Sequence, residues 1–414
     1  MSNTVPKEWQ IKTVDEVATV FAGGTPSRSN PDYYEGTIPW VKSGEVNTRL
    51  IYRTEETISE LAVKESSARW AKRGSVLVAM YGATAGKAAR LMIDATLNQA
   101  VSAINGREKT ADNWFLLYAI ENNTRELLNT VQGSGQPNLS GQLIKNLNLP
   151  IPPLPEQQKI AAILSSVDDV IEKTRAQIDK LKDLKTGMMQ ELLTKGIGSG
   201  GVPHTEFKES PVGKIPASWD VVAISECTTR FYQGINTVAD KISYTDKGTP
   251  IIQAKHMTSG QLNLDDTRSV GEADYKKYKS KFQPQKNDIL FSNIGTIGKS
   301  VIIDKEEQFL IAWNVFLMRI EKNVTPKYMH YILQYLDWLK FYDDLMTGNA
   351  TKFVNKSALG SILIRVPPKE EQKTITLSID SIDKKLSADG NKLQALTKLK
   401  KALMQDLLTG RVRV

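Results

Sequence analysis

The chain has 414 residues, 40% of them hydrophobic, with a formal net charge of +8 and a pI near 9.1. That length allows two to four domains with ordinary cores, and the basic balance suits a lysine-rich surface or a polyanionic partner. A single cysteine, Cys227, excludes a disulfide framework and a cysteine-based zinc site; no run nears the roughly 18 apolar residues of a membrane span, so an intracellular, cytoplasmic chain is expected.

Taken in order, the predicted elements occur twice. Pro6 and Trp9 open a short amphipathic stretch ending at Phe21 and Gly24; Pro216, Trp219, Phe231 and Gly234 repeat them 210 positions later (219 − 9). The strand-like runs 75–80 and 100–104 return as 288–293 and 315–320. Helical segments follow at 114–128 and 326–345, then polar loops at 133–140 and 348–355, then apolar runs into Pro152-Pro153 and Pro367-Pro368. Both copies read as mixed α/β (α+β) modules, and a two-copy chain can build a pseudo-two-fold molecule by itself.

After each proline pair comes a long helix signal, 156–194 and 371–409, without proline and with Glu156 or Glu370 and Glu371 in the first turn. Steps of three and four trace Leu164, Val167, Ile171, Thr174, Ile178, Leu181, Lys185, Met188 and Leu192 in one helix. The second carries Ile379, Ile382, Leu386, Asp389, Leu393, Leu396, Lys400, Leu403 and Leu407 at the same slots, 215 positions on (379 − 164). These apolar stripes predict an antiparallel coiled-coil pair. An axis between Ile178 and Leu181 sets Lys185 against Asp389 and Thr174 against Lys400. A helix of 39 residues (194 − 156 + 1) spans about 58 Å and acts as a ruler. The expected division is 1–152 for the first module, 153–196 for the first helix, 197–212 for a glycine-rich linker, 213–367 for the second module and 368–414 for the second helix.

Gly82 to Lys87 and Gly295 to Lys299 follow strand-like runs, but the leading glycine of a nucleotide phosphate loop is replaced by Tyr81 and by Asn293. Two readings remain: a glycine turn bringing Thr84, Lys87, Thr296 and Lys299 to a DNA phosphate, or a plain hairpin turn. Basic residues interleaved with aromatics add Arg69 and Lys72 in one copy and Lys279 and Lys281 in the other. The polar loops carry Ser134, Gln136 and Asn138 against Asn349, Thr351 and Lys352. Lys42-Ser43-Gly44-Glu45 stands against Ala254-Lys255-His256-Met257 in a second loop pair, with Lys42, Ser43, Lys255 and His256 as its candidates. Aligned positions with unlike base-reading chemistry are what two different half-sites need, although ordinary loop variation reads the same way. His204, His256 and His330 form no metal-ligand spacing, and no nucleophile or acid–base set is evident.

Pro6-Lys7-Glu8-Trp9, Gly213-Lys214-Ile215-Pro216-Ala217-Ser218-Trp219, Pro152-Pro153-Leu154-Pro155-Glu156-Gln157-Gln158-Lys159-Ile160 and Leu403-Met404-Gln405-Asp406-Leu407-Leu408-Thr409-Gly410 resemble the specificity subunit of type I restriction–modification systems. The resemblance implies two target recognition domains, each reading half of a bipartite double-stranded DNA site, and two helices that set the gap. It also implies docking of two modification subunits that carry S-adenosylmethionine and methylate adenine. Restriction subunits with ATP and magnesium would join them, leaving this chain without catalysis, cofactor or metal. The methyltransferase signatures are missing: Ile151 and Leu154 flank Pro152-Pro153, and Val366 and Lys369 flank Pro367-Pro368. Lys369-Glu370 stands where the first copy has Leu154-Pro155, so an earlier start of the second helix is expected. A stand-alone DNA-modifying enzyme and a coiled-coil adaptor are the alternatives.

Overall fold

The computed structural model describes residues 5–129, 139–258, 260–348 and 351–414. The chain forms two compact units, one of Met1–Ala176 with Asn391–Val414 and one of Gln177–Gly390. The long helices Leu154–Thr194 and Lys369–Leu408 cross these boundaries, so each unit holds half of each helix.

In the first unit a five-stranded sheet runs Ala18–Ala22, Val101–Gly106, Val76–Ala79, Ala88–Leu91, Leu50–Ile51. A four-stranded sheet runs Glu56–Ile58, Ile38–Val41, Ala95–Leu97, Arg69–Ala71. Strand Val76–Ala79 is apolar throughout because both its faces are buried. Val76 and Val78 pack on Phe115, Tyr118, Ile160 and Leu164, while Leu77 and Ala79 pack on Val41, Ile51 and Leu97. Two-residue periodicity thus feeds two cores from one strand.

The second unit repeats the plan. Its central sheet runs Thr228–Gln233, Val315–Ile320, Ile289–Ser292, Ser300–Ile302, and its other sheet Tyr244–Thr245, Arg268–Val270, Thr249–Ile252, Leu310–Ile311. Ile289 and Phe291 share a core with Trp219, Tyr328, Tyr331 and Ile375, whereas Leu290 joins Ile252, Phe309 and Ile311. Cys227 lies buried in the first of these cores.

Register corrects one expected equivalence. Ala18 opposes Gly106 and Thr228 opposes Ile320, but a bulge at Thr229 then adds one residue to the second copy. Phe231 opposes Met318 as Val20 opposes Ile104, so Phe21 corresponds to Tyr232 and not to Phe231. One residue of slip reverses the face, and Phe21 and Phe231 sit in non-equivalent cores. Gly23 and Gly234 are the true counterparts, donating their amides to Val101 O and Val315 O. A Cβ there would lie 2.0 Å from Leu97 O or 2.3 Å from Ala312 O, so only glycine fits.

The basic–aromatic runs also part company: Arg69–Ala71 is a strand and Glu272–Phe282 a helix. The helix expected over 326–345 stops at Trp338, where Lys340 turns left-handed at φ 56°, and a 3₁₀ turn covers Phe341–Leu345. The long helices begin at aligned residues 215 apart (369 − 154), so Lys369-Glu370 does not bring the second start forward.

Each long helix is anchored at its start by the same buried pair. Glu156 Oε2 accepts the indole N–H of Trp9 at 3.0 Å, and Glu371 Oε2 accepts that of Trp219 at 3.0 Å. Gln157 Nε2–H donates to Thr110 O and Pro152 O; Gln372 Nε2–H donates to Asn323 O and Pro367 O. The end of the other helix completes each anchor. In the first unit Arg413 Nε lies 2.6 Å from Glu156 Oε1. In the second the amides of Ile197 and Gly198, with His204 Nε2, reach Glu371 Oε1.

Within both units the helix halves pair antiparallel, but not in the expected register. Asp168 meets Lys400 at 2.9 Å in the first unit, and Asp383 meets Lys185 at 2.7 Å in the second. Lys185 therefore faces Asp383 and not Asp389, and Lys400 faces Asp168 and not Thr174. Thr174 Oγ1–H donates to Val170 O in its own helix. The tyrosines Tyr118 and Tyr331 donate to Asp168 and Asp383, coupling the helix pair to the preceding helix of each module. Of the predicted stripe, Leu164, Ile171, Leu181, Ile379, Ile382 and Leu407 are buried. Val167, Ile178, Met188, Leu192, Leu386, Leu393, Leu396 and Leu403 are half-buried. Burial extends to Ile160, Met189, Leu193, Ile375 and Leu408, which face the modules.

Candidate nucleic-acid interface

Strand direction gathers loops at one end of each central sheet. In the first unit Ala22 pairs with Ser102, Ala79 with Val101 and Ala88 with Val78, so those strands begin or end together. Val41 pairs with Leu97 in the second sheet, and Asn98 N–H donates to Val41 O. Lys42 and Ser43, on the loop after Val41, therefore share this end with Thr84 and Lys87, on the turn after Ala79. Arg69 pairs with Leu97 and joins them. Lys72 belongs to the opposite end, where its carbonyl accepts from Ser75, which also reaches Asn105.

The second unit sorts its candidates the same way. Gln233 pairs with Phe316, Ser292 with Val315 and Ile252 with Ile311, bringing together the loops that carry Lys255, His256, Thr296 and Lys299. A bridge between Ile294 and Phe353 adds the Thr351–Lys352 loop. Lys279 and Lys281 close the helix Glu272–Phe282 at the far end, near the start of Ile289–Ser292. Ser134, Gln136, Asn138 and Asn349 lie outside the described residues.

The glycine turns are hairpins closed on themselves. Gly86 N–H donates to Ala79 O and Lys87 N–H to Thr84 O; Gly298 N–H donates to Ser292 O and Lys299 N–H to Ser292 Oγ. These amides are used within the turn and are not offered as a phosphate cradle. Thr84 is buried, whereas Thr296 is exposed.

Side-chain partners separate free cations from tied ones. Lys42 Nζ holds Glu56 at 2.9 Å and Glu55 at 3.0 Å, and the Glu56 hydrogen bond foremost raises its pKa. Lys299 pairs with Asp337 at 2.6 Å, and Lys255 with Asp266 at 3.1 Å, an exposed contact of small worth. Lys87 donates to Asn47 Oδ1 at 2.5 Å. Among the described residues Arg69, Lys72, Lys279, Lys281 and Lys352 have no ion-pair partner and are exposed, but Lys279 lies over the Tyr275 ring and Lys281 over those of Tyr232 and Phe282, so of these five only Arg69 and Lys352 are untied cations at the loop end. His256 turns inward: its Nδ1 accepts from Gln253 N–H at 3.0 Å, and burial foremost holds its pKa below the ordinary value. The ring serves its own loop and is not presented at the surface.

The residues that sequence reasoning passed over are Asp168, Asp383, Gln99 and Trp313. The first two carried a signal, since aspartate and lysine recur together 215 positions apart (383 − 168; 400 − 185). The other two sit on the turn between Leu97 and Val101 and its counterpart between Ile311 and Val315. Among the described residues no cluster of three or more histidine, cysteine or acidic side chains can hold a metal, and no helix is long and apolar enough to cross a membrane.

Comparison with known proteins agrees with this arrangement. The family profile described as the type I restriction modification DNA specificity domain matches residues 6–183 and again 216–398. The MjaVIII specificity subunit of a type I restriction enzyme from Methanocaldococcus jannaschii is 25% identical, over 99% of this chain and 94% of its own. The EcoR124I/EcoR124II specificity subunit of Escherichia coli is 27% identical over a shorter stretch, 39% of this chain and 41% of its own. The crystal structure of a type I S subunit from M. genitalium superposes with a TM-score of 0.62 at 16% identity, covering 99% of this chain and 97% of that one. With two matched copies spanning most of its length, the chain belongs to the type I restriction–modification DNA specificity family and is a specificity subunit, a DNA-recognition component that works with modification and restriction subunits and is not itself a catalyst.

Proposed function

We propose that each unit reads one half of a bipartite DNA target through the loops at one end of its central sheet. One observation carries this reading: two copies of one scaffold present, at equivalent loop positions, side chains of different chemistry. Lys42 and Ser43 stand where the second unit has Gln253 and Ala254, Gly44 and Glu45 stand where it has Lys255 and His256, one residue off the alignment read from the sequence, and the turn holding Lys87 matches the turn holding Lys299. Unlike loops on like scaffolds suit an asymmetric site. Phosphate contacts by exposed lysines supply affinity, and loop contacts to base edges supply discrimination.

The helices set the gap between half-sites and dock two modification subunits, so that correct spacing raises affinity through effective concentration. S-adenosylmethionine belongs to the modification subunits, and ATP with magnesium to the restriction assembly. The modular division proposed is 1–152 and 213–367 for the readers, with 153–196 and 368–414 as spacers. Exchange of residues 1–150 for the corresponding module of another specificity subunit tests this. Mapping methylated adenines in the host genome is expected to show one half-site changed and the other kept; a change in both halves overturns modular reading.

A further inference from the structure

We propose that the turn tip occupied by Gln99 in the first unit and Trp313 in the second is a base-contacting, specificity-determining position. It rests on the reading of the loop end as the DNA face. Three matching hydrogen bonds hold the turn. Asn98 N–H donates to Val41 O as Ala312 N–H donates to Ile252 O. Val101 N–H donates to Asn98 O as Val315 N–H donates to Ala312 O. Met80 N–H donates to Ala100 O as Asn293 N–H donates to Asn314 O.

Those bonds also fix where the tip lies. One neighbour strand leads into the loop bearing Lys42 or Lys255; the other leads into the hairpin bearing Lys87 or Lys299. The tip therefore stands between two lysine-bearing loops at one end of the sheet; Lys87 in the first unit and Lys255 in the second are exposed there, the latter in only a weak surface pair, and can meet phosphates on either side of a base edge. The Trp313 backbone is clamped further, its N–H donating to Ile235 O at 2.8 Å and its carbonyl accepting from Gln233 Nε2–H at 2.7 Å. Yet its side chain is 42% exposed, and Gln99 is exposed as well. Neither side chain has a hydrogen-bond or ring partner among the described residues. A rigid backbone presenting an unpartnered side chain suits a reader that loses little entropy on binding.

The two tips differ in what they can read. A glutamine amide pairs with the N6 and N7 edge of adenine, while an indole offers an apolar face to a thymine methyl group. Gln99 thus favours an adenine in one half-site, and Trp313 an A·T pair in the other.

Selection of a random-sequence duplex pool by the full chain with its modification subunits tests this. In Gln99→Ala and Trp313→Ala the preference at one base pair of one half-site should fall by about tenfold or more. The other half should be unchanged, and Trp313→Phe should retain the apolar preference. Unaltered preferences in both alanine variants, with the half-site altered by Lys42→Ala or by Thr351→Ala with Lys352→Ala, overturn the turn-tip assignment alone. Altered preferences in Lys72→Ala or Lys281→Ala, with none from the loop-end variants, overturn the reading beneath it.

Discussion

At the scale of the residue, the buried carboxylates Glu156 and Glu371 decide how each long helix leaves its module. Burial alone pushes the Glu371 pKa up. Hydrogen bonds from His204, Gly198, Trp219 and Ile197 outweigh it and hold the pKa below the ordinary 4.5. Glu156 is likewise held down against burial, chiefly by Arg413 and then Trp9. A carboxylate depressed in the folded state stabilises the fold above its unfolded pKa, and that contribution is lost as pH falls through the folded value. Glu371→Gln is therefore expected to cost roughly 2 kcal/mol at neutral pH. The difference from the unsubstituted chain should shrink as pH drops below 4.5, where Glu371 itself takes up a proton. Denaturant melts at a series of pH values measure this, and a constant difference down to strongly acid pH contradicts the anchor. Arg413→Ala should act in the same direction on the first unit by removing the main group that holds Glu156 ionised.

At the scale of the element, the helix pair shows what periodicity conveys. Apolar spacing identified both long helices and the face each buries, because burial follows the 3.6-residue turn whatever the partner. It could not fix the axial offset, since an apolar stripe packs almost equally well one turn along; the buried ions fix it. Asp168 is 8% exposed and faces Lys400, Arg49 and the Tyr118 hydroxyl. Asp168→Ala leaves Arg49 and Lys400 sharing Glu121 as their remaining carboxylate and takes the acceptor from the Tyr118 hydroxyl, and should destabilise by about 2 kcal/mol. Asp389→Ala, at a half-exposed position with no ion-pair partner among the described residues, should stay within about 0.5 kcal/mol. Equal losses in thermal or denaturant melts would restore the register that spacing alone suggested. The bulge at Thr229 was illegible for a related reason: it moves the offset between the copies from 210 (228 − 18) to 211 (231 − 20), and the matches of Phe21 with Phe231 and of Gly24 with Gly234 at 210 conceal that step. The loops were legible as positions but not as chemistry, because whether a lysine is free or tied depends on acids distant in sequence, as Glu56 is from Lys42.

At the scale of the whole molecule, the chain passes between its two units within helices, at 176/177 and at 390/391. Each unit keeps its own ion pair, Asp168 with Lys400 or Asp383 with Lys185, and its own tryptophan–glutamate anchor. Residues added at those two boundaries leave both pairs and both anchors in place. Four residues lengthen a helix by about 6 Å and turn it by about 40°. If the helices set the gap, insertion of four residues at both boundaries preserves each half-site and lengthens the spacer by no more than about two base pairs, given 3.4 Å per base pair along the duplex. Genome-wide mapping of methylated adenines reads half-sites and spacer together. Retention of the original gap by the lengthened chain would remove the ruler from the mechanism, and the helices would then serve only to dock the partner subunits. Loss of either half-site alongside a longer gap would point instead to damage within a unit, which melts of the same variant, with each anchor probed by its tryptophan fluorescence, would reveal.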